Sequence, residues 1–198
     1  MHYLLPHRLK QHENFERLGR RKDGFYHIAR HVEFVYANKG LNQIIETGTA
    51  RQFNNWEGDG QSTLIWDFFM SILSVRAISI DIDGAAISLA KSQVINPVEF
   101  IVGDSVNALT YIPDSTLNKT ALLYLDSFDW SPETHEQSSK HHLKELMVVW
   151  NRLPEGCLIV VDDCHSDTQG KHIAVKEFFN SMGVPPLFVG YQTGWVKW

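Results

Sequence analysis

The sequence predicts an α/β fold in which a mostly parallel sheet carries helices on both faces. Short apolar segments alternate with helical segments from residue 42 onward, and such alternation requires crossovers between parallel strands. The end of the chain differs, because Leu187–Val189 and Trp195–Trp198 are too close to enclose a crossover helix. They are expected to form an antiparallel hairpin. We therefore predict a seven-stranded sheet that ends in this hairpin.

Each element follows from its residue pattern. Phe25–Asn38 has apolar residues at helical spacing, and Lys39 and Gly40 end this helix because glycine adopts a left-handed conformation cheaply. Five apolar segments predict parallel strands at Asn42–Glu46, Arg76–Ile80, Val98–Val102, Ala121–Asp126 and Cys157–Val161. The predicted helices between and after them are Ser62–Leu73, Gly84–Gln93, Ser105–Tyr111, Thr134–Arg152 and Lys171–Ser181. Residues 1–40 are interpreted as a helical lead-in, loose over residues 1–24, and residues 41–198 as the ligand-binding part of one globular unit.

Composition excludes several classes of protein. A chain of 198 residues with 43% hydrophobic and 21% charged residues is typical of a globular domain. The net charge of −5 argues against nucleic-acid binding, and the short basic stretch Arg17–Lys22 is interpreted as a solvated helix face or loop. No apolar run is long enough to cross a bilayer, and the N-terminus lacks a signal-peptide core. With only two cysteines, a reducing cytoplasm is expected.

Two apolar segments end abruptly on carboxylates. Leu122–Asp126 and Leu158–Asp163 read as buried parallel strands, whose carboxyl ends face the ligand crevice in open α/β sheets. Asp126, Asp162 and Asp163 should therefore converge at one edge of the sheet. Converging carboxylates repel unless a cation or protons compensate, so we predict a divalent metal site. The alternative is that each aspartate only caps the following helix or turn.

A glycine-containing loop follows the first strand. Glu46 to Ala50 reads E-T-G-T-A, and Ser62 and Thr63 open the next helix, whose N-terminus offers free N–H groups. The loop matches neither G-x-G-x-x-G nor a P-loop. Residues 51–59 look like an insertion, in which Phe53 and Trp56 either cover a ligand or pack on the surface.

Polar residues also follow the second and third strands. Asp81 ends the second strand, where an acid usually binds ribose hydroxyls, and Asp83 is expected to cap the next helix. Gly103, Asp104 and Ser105 follow the third strand. They suit hydrogen bonding to the exocyclic amine of a base, and Asp104 or Ser105 also suits a helix cap.

Together these motifs resemble the class I S-adenosylmethionine-dependent methyltransferases over Gln43–Trp198. The segments LYLDSFDW and LPEGCLIVVDDC are similar to the macrocin O-methyltransferase group, which includes cephalosporin-biosynthesis methyltransferase-like proteins. The resemblance implies the Rossmann-like class I methyltransferase fold. Two departures stand out, since Asp129 lies one residue further from Asp126 than in the group's L-D-x-D pattern, and Cys164 replaces a common tyrosine.

The resemblance also implies a set of site residues. Mg²⁺ is expected on Asp126, Asp162 and Asp163, and proton transfer is assigned to Asp126, with Asp129 and His165 as further candidates. The residues expected to bind S-adenosylmethionine are Glu46, Thr47, Gly48, Thr49, Ser62, Thr63, Asp81, Ile82, Gly103, Asp104, Ser105 and Asp126.

The sequence thus predicts a cytoplasmic, Mg²⁺-dependent O-methyltransferase for a small hydroxylated acceptor such as a sugar or natural product. No nucleic acid or membrane partner is expected, and a homo-oligomer is left open. Two alternatives remain, namely a nucleotide-cofactor oxidoreductase and a methyltransferase-like binding module without catalysis.

Overall fold

The computed structural model describes residues 3–198, in which six strands form one mixed sheet. The order is β3-β2-β1-β4-β5-β6; β6 pairs antiparallel with β5, and all other pairs are parallel. The strands are β1 (Gln43–Thr47), β2 (Arg76–Asp81), β3 (Glu99–Val102), β4 (Thr120–Leu125), β5 (Leu158–Val161) and β6 (Thr193–Val196). The predicted fold class is therefore confirmed.

The helices lie close to their predicted positions. Two match their predicted bounds, α4 (Gly84–Gln93) and α5 (Ser105–Tyr111), whereas the short α6 (Asp114–Leu117) and the first helix of the chain were not predicted. The other helices are α1 (Leu4–Lys10), α2 (Lys22–Lys39), α3 (Ser62–Ile72), α7 (His135–Val149) and α8 (Ile173–Ser181), with 3₁₀ turns at Glu16–Arg21 and Trp150–Arg152. No helix within residues 3–198 has the length and apolar character needed to span a bilayer.

The terminal hairpin is shorter than predicted. Phe188 forms an isolated antiparallel bridge with Gly194, so the expected seventh strand is reduced to a single pairing. Pro185 and Pro186 precede it, and proline supplies no N–H to a ladder. The antiparallel turn at the sheet edge is retained, but the outer strand is not extended.

The N-terminal segment is more ordered than the sequence predicted. Leu5, Leu9 and Leu18 have no exposed surface and join the core beneath the sheet. The Glu33 carboxylate accepts the backbone N–H groups of Leu4 and Leu5, which would otherwise be unpaired at the start of α1. Residues 1 and 2 of the predicted lead-in lie outside the described residues. The segment expected to be loose is thus packed against the domain.

Helices on the two faces of the sheet build two apolar clusters. One cluster contains residues of α1, α2 and α3, among them Leu5, Phe25 and Ile65. The other contains residues of α5, α7 and α8. The sheet order reverses at β1, which has β2 on one side and β4 on the other. In open α/β sheets, ligands bind beside the carboxyl ends of the strands at this reversal.

Candidate functional site

The glycine loop passes very close to the end of β4. Gly48 has φ +82°, and a Cβ at this position would lie 2.6 Å from the carbonyl oxygen of Asp126. Only glycine meets both the left-handed backbone and the close approach. The loop is therefore fixed against the strand end at the topological reversal.

Glu46 lies behind this loop and is fully buried. Its carboxylate accepts hydrogen bonds from four neutral donors: the hydroxyls of Ser62, Thr63 and Ser79, and the indole N–H of Trp66, at 2.5–2.8 Å. Burial raises the pKa of Glu46 to about 7, although these hydrogen bonds lower it. The carboxylate thus fastens the start of α3 to β1 and β2, and it presents no exposed surface to a ligand.

Asp81 joins the glycine loop to the end of β2. One carboxylate oxygen accepts the N–H of Thr49 at 3.0 Å, and the other accepts the N–H of Asp83 at 2.8 Å. As predicted, Asp83 caps α4 through the N–H of Ala85. Beside Asp81 is a cleft of about 410 Å³, lined by Ile80, Asp81, Ile82, Asp104, Ser105, Ser127, Phe128, Asp129 and His141.

A hydrogen-bond network forms one wall of this cleft. The Ser105 hydroxyl lies 3.0 Å from Nε2 of His141, and the Ser127 hydroxyl donates to Glu145 at 2.6 Å. Glu145 also lies 3.4 Å from the same His141 nitrogen, and its hydrogen bond raises the pKa of His141. Asp104 caps α5 through the N–H of Asn107 and remains exposed beside the cleft.

Asp126, Asp162 and Asp163, here called the acidic rim, do converge as predicted, but a buried arginine meets two of them. Arg21 Nε lies 2.7 Å from Asp162, and Nη2 lies 3.1 Å from Asp163. Asp162 also accepts the Tyr124 hydroxyl at 2.7 Å. The interpretation of Arg17–Lys22 as solvated is therefore wrong for Arg21, whose side chain is 5% exposed.

Lys171 supplies the second cation of the rim. Its ammonium group contacts the carboxylate of Asp126 and lies 3.0 Å from Asp163. Burial works to lower the pKa of Lys171, but the two carboxylates outweigh it and raise the pKa above the ordinary lysine value. For Asp163, burial works to raise the pKa, but Lys171, the hydrogen bond from Tyr191 and Arg21 together lower it.

This arrangement does not fit the Mg²⁺ that the resemblance implied. Across residues 3–198, no group of three or more His, Cys, Asp or Glu side chains is arranged to hold a metal ion. Each rim carboxylate is already engaged by Arg21 or Lys171. A divalent ion would have to displace a buried cationic side chain.

The inserted loop, residues 51–59, divides between core and surface. Trp56 is 6% exposed and packs in the core, whereas Phe53 is 75% exposed. At the start of the loop, Arg51 forms a 2.9 Å ion pair with Asp129, which lines the cleft. Asp129 is thus placed at the cleft, as a member of an exposed ion pair.

His165 lies between two aromatic neighbours near the rim. Its ring is 4.0 Å from that of Trp130 and 5.6 Å from that of Tyr191, centroid to centroid. A second cleft, of about 500 Å³, opens here and is lined by Arg20, Cys164, His165, Ser166, Asp167, His172, Val189, Gly190, Tyr191 and Thr193. The structure therefore places the three proton-transfer candidates at separate positions around the rim.

The sheet has the Rossmann-like architecture expected from the sequence. The parallel β3-β2-β1-β4-β5 order and the antiparallel terminal strand agree with that fold, and the cleft lies at the carboxyl ends of β2, β3 and β4. No protein-family model matches the sequence, and a search of curated proteins finds none that is similar.

Solved structures share this fold at low sequence identity. A crystal structure of CalS11, a calicheamicin methyltransferase, aligns with a TM-score of 0.63 at 12% identity over 98% of this chain and 86% of that chain. The apo structure of CalS11, described as a TDP-rhamnose 3′-O-methyltransferase, gives 0.59 at 14% identity over 98% and 87%. MycE from the mycinamycin pathway, in complex with Mg and S-adenosylhomocysteine, gives 0.56 at 14% identity over 86% of this chain and 48% of that chain.

Proposed function

We propose that this chain is an S-adenosylmethionine-dependent methyltransferase that methylates a hydroxyl group of a small molecule. The observation that carries the proposal is the cleft at the carboxyl end of the sheet, where Asp81, Asp104 and Ser105 come together from the ends of β2 and β3. These are the residues expected to hold the ribose and the base of the donor. The fold shared with CalS11 and MycE supports the same assignment.

The residues around the cleft suit an adenosine-containing donor. Asp81 is held by two backbone N–H groups, which fixes its carboxylate at the end of β2. Asp104 and Ser105 also line the cleft, and the exposed Asp104 carboxylate can accept a hydrogen bond from the exocyclic amine of a base. Gly48 allows the loop to pack directly against the backbone of Asp126 at the end of β4. When bound, S-adenosylmethionine supplies an electrophilic methyl group on a sulfonium centre.

Three groups act around the glycine loop in this proposal. Glu46 positions the loop and the start of α3 through its four buried hydrogen bonds. Asp126 lies directly against Gly48 and is assigned to accept the proton of the acceptor hydroxyl, since its side chain keeps 17% exposure. Lys171 orients that carboxylate. No step is assigned to Mg²⁺, because Arg21 and Lys171 occupy the carboxylates that would bind it.

A sugar-like acceptor is the class that we infer. The second cleft lies beside the rim and combines aromatic and polar side chains, including Tyr191, His165 and Arg20. Such surfaces suit a hydroxylated ring, which offers both an apolar face and hydrogen-bonding edges. The description of CalS11 as a TDP-rhamnose 3′-O-methyltransferase supports the same class.

The deciding experiment is a calorimetric titration with S-adenosylhomocysteine, with NAD⁺ and NADP⁺ titrated in parallel. One-site binding of S-adenosylhomocysteine alone is the expected result, and transfer of a labelled methyl group to nucleotide sugars would then identify the acceptor. Binding of a dinucleotide instead would favour the oxidoreductase. Donor binding without transfer to any acceptor in a broad panel would favour the non-catalytic module.

A further inference from the structure

We propose that Lys171 takes the position of a divalent cation at the acidic rim, so that the rim is complete without a metal ion. This inference goes beyond the proposed methyl transfer, because it concerns cation binding and holds whether or not the chain is a methyltransferase. It rests on the contacts, burial and charge balance of five side chains.

The rim carboxylates share their two cations in a chain of contacts. Arg21 contacts Asp162 and Asp163, and Lys171 contacts Asp163 and Asp126. Each aspartate therefore meets at least one cation, and Asp163 meets both. With the three carboxylates ionised, Arg21 and Lys171 leave the rim one net negative charge, whereas without Lys171 it would carry two and attract a divalent ion more strongly.

The side chain of Lys171 is almost completely buried, with 1% of its surface exposed. Its ammonium group also lies 3.3 Å from the carbonyl oxygen of Asp126. An ion that entered between Asp126 and Asp163 would leave this ammonium buried without a partner. Burying an unpaired charge is strongly unfavourable, so the side chain competes effectively with a metal.

The local backbone holds Lys171 in this place. Gly170 has φ +138°, and a Cβ there would lie 2.8 Å from the carbonyl oxygen of Asp163. The N–H of Lys171 then bonds to that same carbonyl at 3.3 Å. The Gly170–Lys171 turn thus folds back beneath the end of β5, two residues before α8 begins, and directs the ammonium group into the rim.

The inference makes Lys171 a positioning residue. Its ammonium group fixes the orientation of Asp126, and it does so without an open coordination position for a substrate oxygen. A hydroxyl acceptor would therefore meet an oriented carboxylate and not a Lewis acid. Divalent cations and chelators should leave the fold of the wild-type protein unchanged.

The proposal is tested by measuring Mn²⁺ binding to chelator-treated protein. The electron paramagnetic resonance signal of the free ion reports how much Mn²⁺ remains unbound. Four proteins are compared: wild type, Lys171→Met, the double variant Lys171→Met with Asp126→Asn, and the control Lys176→Met. Lys176 lies on α8 and pairs with the exposed Asp167. Circular dichroism verifies that each variant is folded.

Wild type and Lys176→Met are expected to leave Mn²⁺ free. Lys171→Met should bind one Mn²⁺ per chain at least ~10-fold more tightly, because three carboxylates then lack their second cation. The double variant should lose this binding. A folded Lys171→Met that gains no Mn²⁺ affinity would overturn the proposal.

A second comparison does not depend on Lys171→Met folding. If wild type binds one Mn²⁺ per chain and Asp126→Asn abolishes that binding, the rim is a metal site and the proposal is overturned. The absence of Mn²⁺ binding to the wild-type protein would support the proposal. Neither result requires methyl transfer, so failure to bind S-adenosylhomocysteine would refute the proposed function separately.

Discussion

On the glycine-loop side of the site, the buried carboxylate of Glu46 meets only neutral hydrogen-bond donors, whereas on the rim side Asp163 meets two cations. The consequences are opposite. Burial raises the pKa of Glu46 to about 7, while Lys171, Tyr191 and Arg21 overcome burial and lower that of Asp163. Two strand-end acids that look alike in the sequence therefore have pKa values shifted in opposite directions.

The largest effect is expected from Arg21→Met, which leaves Asp162 and Asp163 short of a buried cation. Removing one partner of a buried ion pair typically costs about 3–5 kcal/mol of unfolding free energy. Urea denaturation measures the loss. The matched control is Arg20→Met, an exposed neighbour that lies over the Tyr191 ring at 3.9 Å. Equal losses in the two variants would remove the distinction between the rim and its surroundings.

Glu46→Gln tests the other side through pH. Because the pKa of Glu46 is raised to about 7 in the folded protein, the folded state binds the proton more tightly than the unfolded chain. The stability that this group contributes is complete below about pH 4 and is lost as pH rises toward 7. Wild type should therefore lose roughly 2–3 kcal/mol relative to Glu46→Gln between pH 5 and pH 8. Urea titrations at both pH values measure the difference in unfolding free energy between the two proteins. The same difference at pH 5 and at pH 8 would contradict the prediction.

Asp81→Asn sharpens the assignment of the cleft. A carboxylate that accepts ribose hydroxyls should lose about 1.4 kcal/mol of binding on becoming an amide, which is a ~10-fold weaker affinity for S-adenosylhomocysteine. Asp83→Asn is the control, because Asp83 caps α4 and asparagine caps helices equally well. Calorimetry on both variants provides the comparison, and an unchanged affinity in Asp81→Asn would place the donor elsewhere.

The smallest effect is expected at the ion pair between Arg51 and Asp129. Its side chains are 47% and 68% exposed, so solvent screens the attraction that burial preserves at the rim. Arg51→Ala should change the unfolding free energy by less than about 1 kcal/mol. A loss as large as that of Arg21→Met, measured in the same urea assay, would show that this pair is part of a buried network.

The elements of the fold could be predicted because their signals are local. Alternating apolar and helical patterns located five parallel strands, and the cap at Asp83 followed from turn chemistry. Gly48 was expected to let the backbone approach a ligand, whereas in the structure it lets the loop pack against Asp126. The outer strand of the hairpin was predicted too long, since Pro185 and Pro186 limit pairing before Phe188. Local pattern thus fixed element type better than element length.

The cationic partners of the acidic rim could not be predicted from the sequence. The convergence of Asp126, Asp162 and Asp163 follows from the parallel sheet, but their compensation does not. Arg21 lies 141 residues before Asp162, and Lys171 lies 45 residues after Asp126. In the sequence Arg21 belonged to a short basic stretch and Lys171 to the start of a predicted helix, and neither position specifies a partner. Residue types at strand ends therefore indicated a cation but not its identity.

Arg21 also has a consequence for the order of assembly. Its guanidinium group links the N-terminal segment to the inserted loop and to the end of β5. It donates to the carbonyl oxygen of Glu57, 36 residues away in sequence, and to the carboxylate of Asp162, 141 residues away. Contacts between such distant residues require closing long loops before they return any stabilisation. During synthesis, Arg21 emerges long before its acidic partners exist. We therefore expect the contacts of the rim to form in the last stage of folding, after all three segments have reached their native positions.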